Sequence, residues 1–136
     1  MKPHVTPVSV YYEDTDFSGL VYHANYLKYF ERAREHFLGR EALVSLWEDH
    51  GVGFVVYRAD LQFKEGAVFG DELDIRTTVE LKSDYRAVFH QAAWRRKDEK
   101  LLVDGEVHLV CVDRENKLTR LPPSVIALGK QLLQSS

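Results

Sequence analysis

Three carboxylates fall within four residues of the stretch EDTDFSGLVYHANY, at Glu13, Asp14 and Asp16, with Gly19 and His23 close behind. Asp14, Asp16, Ser18 and Gly19 stand at positions 1, 3, 5 and 6 of a calcium loop, with apolar Val21 at position 8. Position 12 of such a loop needs a bidentate glutamate, and here it is Asn25. The segment ahead of the loop also alternates like a strand, where a calcium loop has an entering helix. No metal is expected. A second chemistry fits better. A carboxylate just ahead of a helix start faces unsatisfied N–H groups and the positive end of the helix dipole. Those N–H groups can polarise a carbonyl as an oxyanion hole does. Carboxylate plus backbone donors is a minimal kit for acyl transfer or hydrolysis. A third reading is a solvated turn in which Asp14 or Asp16 bonds its own backbone. No serine or cysteine nucleophile competes. Ser18 lacks the G-x-S-x-G elbow, and Cys111 sits in an alternating segment that reads as core.

The flanking elements must hold this cluster in place. PVSVYY alternates Val8, Val10 and Tyr12 with Ser9 and Tyr11, a strand signal. From about Ala24 the period changes: Tyr26, Phe30, Ala33 and Phe37 form one stripe of a helix that stops near Gly39. EALVSLWEDH predicts a second helix with Leu43, Leu46 and His50 on one side. Tyr57, Ala59, Leu61 and Phe63 then alternate with polar residues, as do Leu73, Ile75, Thr77, Val79 and Leu81. YRAVFHQAAW and LLVDGEVHLVCV follow after polar turns. Such short gaps require antiparallel neighbours. PPSVIALGKQLL closes the chain as a helix, with Ser124 available as its cap. The expectation is a single α+β domain over residues 1–136, an antiparallel sheet against one long helix.

With 136 residues, a net charge of −3 and one cysteine, the chain reads as an ordinary globular domain. Nucleic-acid binding is not expected, because neutralising phosphates needs a basic surface. No intrachain disulfide is possible, which fits a reducing compartment. The N-terminus carries no apolar signal region. No apolar run approaches the roughly 20 residues that span a bilayer. The expected location is cytoplasmic.

The stretch VYYEDTDFSGLVYHANYLKYFERAR joins a D-T-D-x-x-G loop to V-Y-H-x-x-Y and F-E-x-A-R on the helix. It resembles the signature of the hotdog-fold acyl-CoA thioesterases, in particular the 4-hydroxybenzoyl-CoA thioesterase-like group that includes the Tol-Pal-associated enzymes. FVVYRADLQF, EVHLVCVD and LTRLPPSVIA extend the likeness through most of the chain. The resemblance implies a hotdog fold, in which a curved antiparallel sheet wraps one long central helix. It implies hydrolysis of an acyl-CoA thioester to free acid and coenzyme A, without a cofactor. It makes Asp16 the catalytic carboxylate, as nucleophile or as base for a water. The His23 N–H would hold the carbonyl oxygen, and its side chain would be a second polar group near the leaving sulfur. Gly19 would permit the tight turn, and Tyr22 and Tyr26 would line the pocket. Lys82 and Ser83, then Lys64, would meet the coenzyme. Asp14 would fix the loop and, if close to Asp16, would raise its pKa. Glu31 and Arg34 read as a helix pair or a solvated face. A homo-oligomer, dimer or tetramer, is implied, with acyl carrier protein as an alternative carrier. Departures from the family lie at Phe17 and Ser18, expected to narrow the pocket mouth, and at Glu65 and Gly66. A hotdog dehydratase and a non-catalytic acyl-CoA or acyl-carrier-protein binder are the alternatives.

Overall fold

The computed structural model describes residues 2–134, with side chains through Lys130. Strand β1 (His4–Ser9) leads through a single 3-10 turn at Tyr12–Asp14 to helix α1 (Asn25–Leu38) and then α2 (Arg40–His50). Strands β2 (Gly53–Phe63), β3 (Glu72–Leu81), β4 (Arg86–Arg95) and β5 (Lys100–Val112) follow. The two-residue β6 (Leu118–Thr119) and helix α3 (Pro123–Gln134) end the described chain. All pairings are antiparallel, in the order β1-β3-β4-β5-β2, with β6 added to β5. The expected α+β arrangement is what forms.

Helix α1 exists because its apolar residues recur at helical spacing. Tyr26, Tyr29, Phe30, Ala33 and Arg34 are the buried positions, one stripe of the i, i+3, i+4, i+7, i+8 kind. They lie in a core shared with Leu73, Ile75 and Val79 of β3, Ala87, Phe89 and Ala93 of β4, and Val103, Val107, Leu109 and Cys111 of β5. A fully buried aromatic such as Phe30 contributes about 1.5–3 kcal/mol. The helix stops where Gly39, at φ 95°, leaves the helical region while its N–H still bonds Glu35 O at 2.8 Å.

Several expectations need correction. The first strand ends at Ser9, because the Asp14 carboxylate takes the Tyr11 N–H at 2.9 Å and bends the chain into the 3-10 turn. Helix α2 buries no residue: Leu43 and Leu46 are half-buried and His50 is exposed. Ser124 is not a cap. Pro123 is already the first helical residue, a position that suits a side chain without an N–H, and Pro122 O accepts from Val125 N and Ile126 N. Arg34 is neither solvated nor paired with Glu31. It is 7% exposed and its Nη1 donates to Gln91 Oε1 at 2.9 Å. Gln91 in turn donates to Phe30 O at 2.9 Å and to Thr77 Oγ1 at 3.1 Å.

Candidate active site

The acidic stretch forms a tight hairpin-like loop between the 3-10 turn and α1. Asp16 N–H bonds Leu20 O at 2.8 Å and Gly19 N–H bonds Asp16 O at 3.0 Å, with Thr15 and Val21 bridged across the base. Gly19 takes φ 83° with open space around its missing Cβ. Its role is therefore conformational: the turn needs a backbone that other residues reach only with strain. The loop is fastened to the chain before β3 by Val21 N–H to Ala67 O at 2.9 Å and by a Leu20–Val68 bridge.

Asp16 stands exposed on this loop. Its Oδ1 accepts from the Ser18 N–H at 2.9 Å and the Ser18 hydroxyl at 2.5 Å. The Ser18 hydroxyl is the chief cause holding the carboxyl below its ordinary value, with weak desolvation acting against it. The Asp14 carboxylate is engaged with other partners. Asp14 Oδ2 accepts from Tyr11 N–H, Oδ1 accepts from Asn25 Nδ2 at 3.0 Å, and Asp14 O accepts from Tyr22 N–H at 2.9 Å. Asp14 thus ties the loop to the first residue of α1. Among the described residues, no group of three or more histidine, cysteine or acidic side chains is placed to hold a metal ion.

The start of α1 is left open. Its N-cap is Ala24, which offers no side-chain oxygen to the first N–H groups. Among the described residues, the His23 and Ala24 N–H groups have no hydrogen-bond acceptor. They stand at the positive end of the helix, where a carbonyl oxygen gaining charge is stabilised.

Asp16, His23, Tyr26 and Lys64 converge on one cleft of about 330 Å³, which Leu20, Val21, Phe63, Glu65 and Gly66 also line. The His23 ring meets Phe63 edge-on at 6.2 Å and packs against Tyr22 at 4.6 Å. Tyr26 is buried, and its hydroxyl accepts from Ala67 N–H at 3.2 Å. Burial raises the pKa of that hydroxyl and keeps it protonated. Tyr22 is exposed beside the cleft and Gly19 shapes the loop without lining it. Lys82 and Ser83 lie elsewhere. They follow the far end of β3, ten residues or about 33 Å of strand from the loop's anchorage. There Lys82 pairs with Glu80 at 3.0 Å, and the Ser83 hydroxyl accepts from Tyr85 and Arg86 N–H. A single chain does not bring them to Asp16. Phe17 does not narrow the cleft; it projects fully into solvent and is absent from the lining.

The sequence reading flagged Glu65 and Gly66 only as departures from the family and missed Phe63 as a neighbour of Asp16, because these residues arrive with the end of β2, from the middle of the chain. Gly66 has a packing role. A Cβ there would sit 2.9 Å from Leu20 Cδ2, so a larger residue would push against the catalytic-loop candidate.

A model of the thioesterase-like superfamily matches residues 10–128. The acyl-CoA thioester hydrolase YbgC of Escherichia coli O6:H1 is 37% identical over 131 residues, covering 92% of this chain and 94% of that protein. The acyl-CoA thioesterase YbgC of Haemophilus influenzae is 37% identical over 109 residues, covering 79% of each. In structure, a 1,4-dihydroxy-2-naphthoyl-CoA thioesterase from Synechocystis superposes with a TM-score of 0.88 at 25% identity, over 96% of this chain and 97% of the other. A probable thioesterase from Bartonella henselae gives 0.81 at 34% identity, over 88% and 99%. By sequence and by architecture, this chain belongs to the thioesterase-like superfamily and has the hotdog fold.

Proposed function

We propose that the protein hydrolyses acyl-CoA thioesters, with Asp16 as the catalytic carboxylate and the start of α1 as the oxyanion site. The observation that carries this is that an ionised carboxylate, Asp16, and His23, whose N–H has no acceptor among the described residues and lies just ahead of uncapped α1, line one cleft. A thioester carbonyl seated there points its oxygen at the His23 and Ala24 N–H groups. The charge that develops on that oxygen in the tetrahedral intermediate is then met by donors already in position. Asp16 supplies the attack, either by its own oxygen on the carbonyl carbon or by taking a proton from a water. In the first case an acyl-aspartyl anhydride forms, coenzyme A leaves as its thiol, and water releases the acid. In the second, hydroxide adds directly. The Ser18 hydroxyl keeps Asp16 ionised and orients it for either route. The His23 ring is the nearest candidate to protonate the leaving sulfur, and Lys64, exposed at the rim, is placed for a phosphate of the coenzyme. The chemistry as proposed needs no cofactor.

The protein acts as a homo-oligomer in this reading. Strand β2 is a sheet edge of eleven residues that is mostly exposed, and exposed edges pair with other strands. Pairing through β2 would also bring residues of a second copy toward Phe63 and Lys64, which supports a shared site to which Lys82 and Ser83 could belong. A coenzyme A substrate and a lone cysteine support a cytoplasmic location. No described helix is long and apolar enough to cross a membrane. Acyl carrier protein remains the alternative carrier. The test is thiol release from a panel of short, long and aromatic acyl-CoAs. Turnover of at least one member is expected, and tight binding without turnover across the panel would make the protein a binder instead.

A further inference from the structure

Tyr29 of α1 is 1% exposed, and its hydroxyl has no hydrogen-bond partner among the described residues. Buried hydroxyls normally find a partner, so an unpaired one asks for a reason. Tyr26, three residues earlier, shows the ordinary case. Its hydroxyl accepts from Ala67 N–H at 3.2 Å, and its ring meets that of Tyr29 edge-on at 5.8 Å.

Helix geometry says what the Tyr29 hydroxyl faces. Tyr29 stands four residues after Asn25, so the two side chains lie on the same face of α1 in successive turns. Asn25 Nδ2 donates to Asp14 Oδ1 at 3.0 Å, which places that carboxylate against this face. The phenol carries the mark of its neighbour: burial first, and then the Asp14 carboxylate, raise its pKa and keep it protonated. Asp14 has capacity left for it. Oδ2 accepts from Tyr11 N–H and Oδ1 from Asn25, whereas a carboxylate offers about four acceptor sites. A protonated donor and an ionised acceptor thus stand side by side, short of a formed bond.

The loop that carries Asp16 begins at Asp14. The bonds from Asp16 N–H to Leu20 O and from Gly19 N–H to Asp16 O make it one unit, so a shift of Asp14 toward α1 takes Asp16 along. Leu20 and Val21 of the same loop line the cleft with Asp16, so a bound acyl-CoA packs against the loop itself. Contacts with unreacting parts of a substrate can drive such a closure, and hydrogen bonds at a reacting site often reach full strength only in the complex. Resting on the thioesterase reading, we propose that Tyr29 is a positioning residue: substrate in the cleft draws the Asp16 loop onto α1, the Tyr29 hydroxyl donates to the Asp14 carboxylate, and Asp16 is held at the carbonyl carbon.

Tyr29→Phe tests this, because it removes one oxygen and leaves the packing. Thermal unfolding is followed without ligand, and an S-alkyl-CoA thioether, which cannot be hydrolysed, is titrated calorimetrically into both proteins. Without ligand the hydroxyl has no bond to lose, so Tm stays or rises in the variant. With the thioether bound, a hydrogen bond to a charged group is missing, so affinity falls about tenfold or more, and kcat/KM for thiol release falls at least as far. A purely structural role gives the opposite pattern, a lower Tm with affinity kept. In an Asp14→Ala background the acceptor is gone, and Tyr29→Phe then costs less than about threefold in affinity. If Asp14→Ala does not fold, the opposition between Tm and affinity decides. The proposal is overturned if Tyr29→Phe lowers Tm by several degrees without ligand, if it leaves thioether affinity and kcat/KM unchanged, or if its loss in affinity is undiminished beside Asp14→Ala. Turnover by the wild type, matched by Tyr29→Phe, removes this proposal alone. Absence of wild-type turnover on every thioester removes the enzyme reading and this proposal with it.

Discussion

Asn25→Ala breaks a side-chain link between the Asp16 loop and the start of α1, beside the oxyanion donors. In the wild type Asn25 Nδ2 donates to Asp14 Oδ1 at 3.0 Å, across a half-buried contact. Asp14 also holds Tyr11 N–H at 2.9 Å and Tyr22 N–H at 2.9 Å, so one residue clamps both strands of the loop to the first turn of α1. Hydrogen bonds to charged groups contribute about 1.5–3 kcal/mol when buried, and partial exposure puts this one near 1.5. Were that energy spent only on folding, Tm would fall by several degrees and kcat would not change. The geometry predicts more. Asn25 follows His23 and Ala24 directly, so losing the link lets the Asp16 loop shift against their N–H groups, and a misplacement of about 1 Å can cost on the order of a hundredfold in rate. The expected result is kcat down tenfold to a hundredfold with KM changed less than threefold, since the variant leaves the cleft walls intact. Steady-state thiol release gives the two parameters, and circular dichroism gives Tm. A double-mutant cycle with Asp14→Ala should show strong coupling in kcat. A fall in Tm at wild-type kcat would refute the positioning argument and leave Asp14–Asn25 as a folding contact.

Two further results are expected. In Ser18→Ala the hydroxyl that stabilises the ionised Asp16 is lost, so the carboxyl pKa rises. Activity that needs the ionised form then disappears at a higher pH on acidification. The acid limb of kcat/KM shifts upward, and an unmoved limb would separate it from Asp16. Gln91→Leu keeps a similar volume but strips Arg34 of its one side-chain acceptor among the described residues and removes the bonds to Phe30 O and Thr77. Removing one partner of a buried charge costs about 3–5 kcal/mol, so Tm should drop by about 10 °C or more. A shift within a degree or two would mean that water satisfies Arg34.

What was readable in the sequence is what local spacing encodes. Tyr26, Phe30 and Ala33 marked the buried stripe of α1, and Gly39 marked its end, because both follow from helical period and backbone conformation. The alternation of β3 assigned Leu73, Ile75, Thr77 and Val79 to one face, and all four are buried. The acidic loop stood out because its residue types are dense and chemically unusual. Arg34 was misread for the opposite reason: nothing within α1 says that Gln91, 57 residues away, receives its guanidinium. Val10 and Tyr12 continue the alternation of β1, yet Asp14 capturing Tyr11 N–H overrides it. The cleft wall of Phe63, Glu65 and Gly66 depended on strand β2 crossing to the loop, which only the folded topology decides. Phe17 and the edge strand β2 expose apolar groups, which alternation alone does not foretell.

The most direct test of the central claim compares wild type with Asp16→Asn, a change that keeps size and removes the charge. Each is assayed for thiol release on the best acyl-CoA of the panel and titrated with the matching thioether. The account predicts a loss in kcat of at least about a hundredfold, the scale of a positioned acid–base group or nucleophile, with thioether affinity within a few-fold of wild type. Equal kcat in the two proteins would contradict it, and would reduce the Asp16 loop to a turn at the rim of a binding cleft.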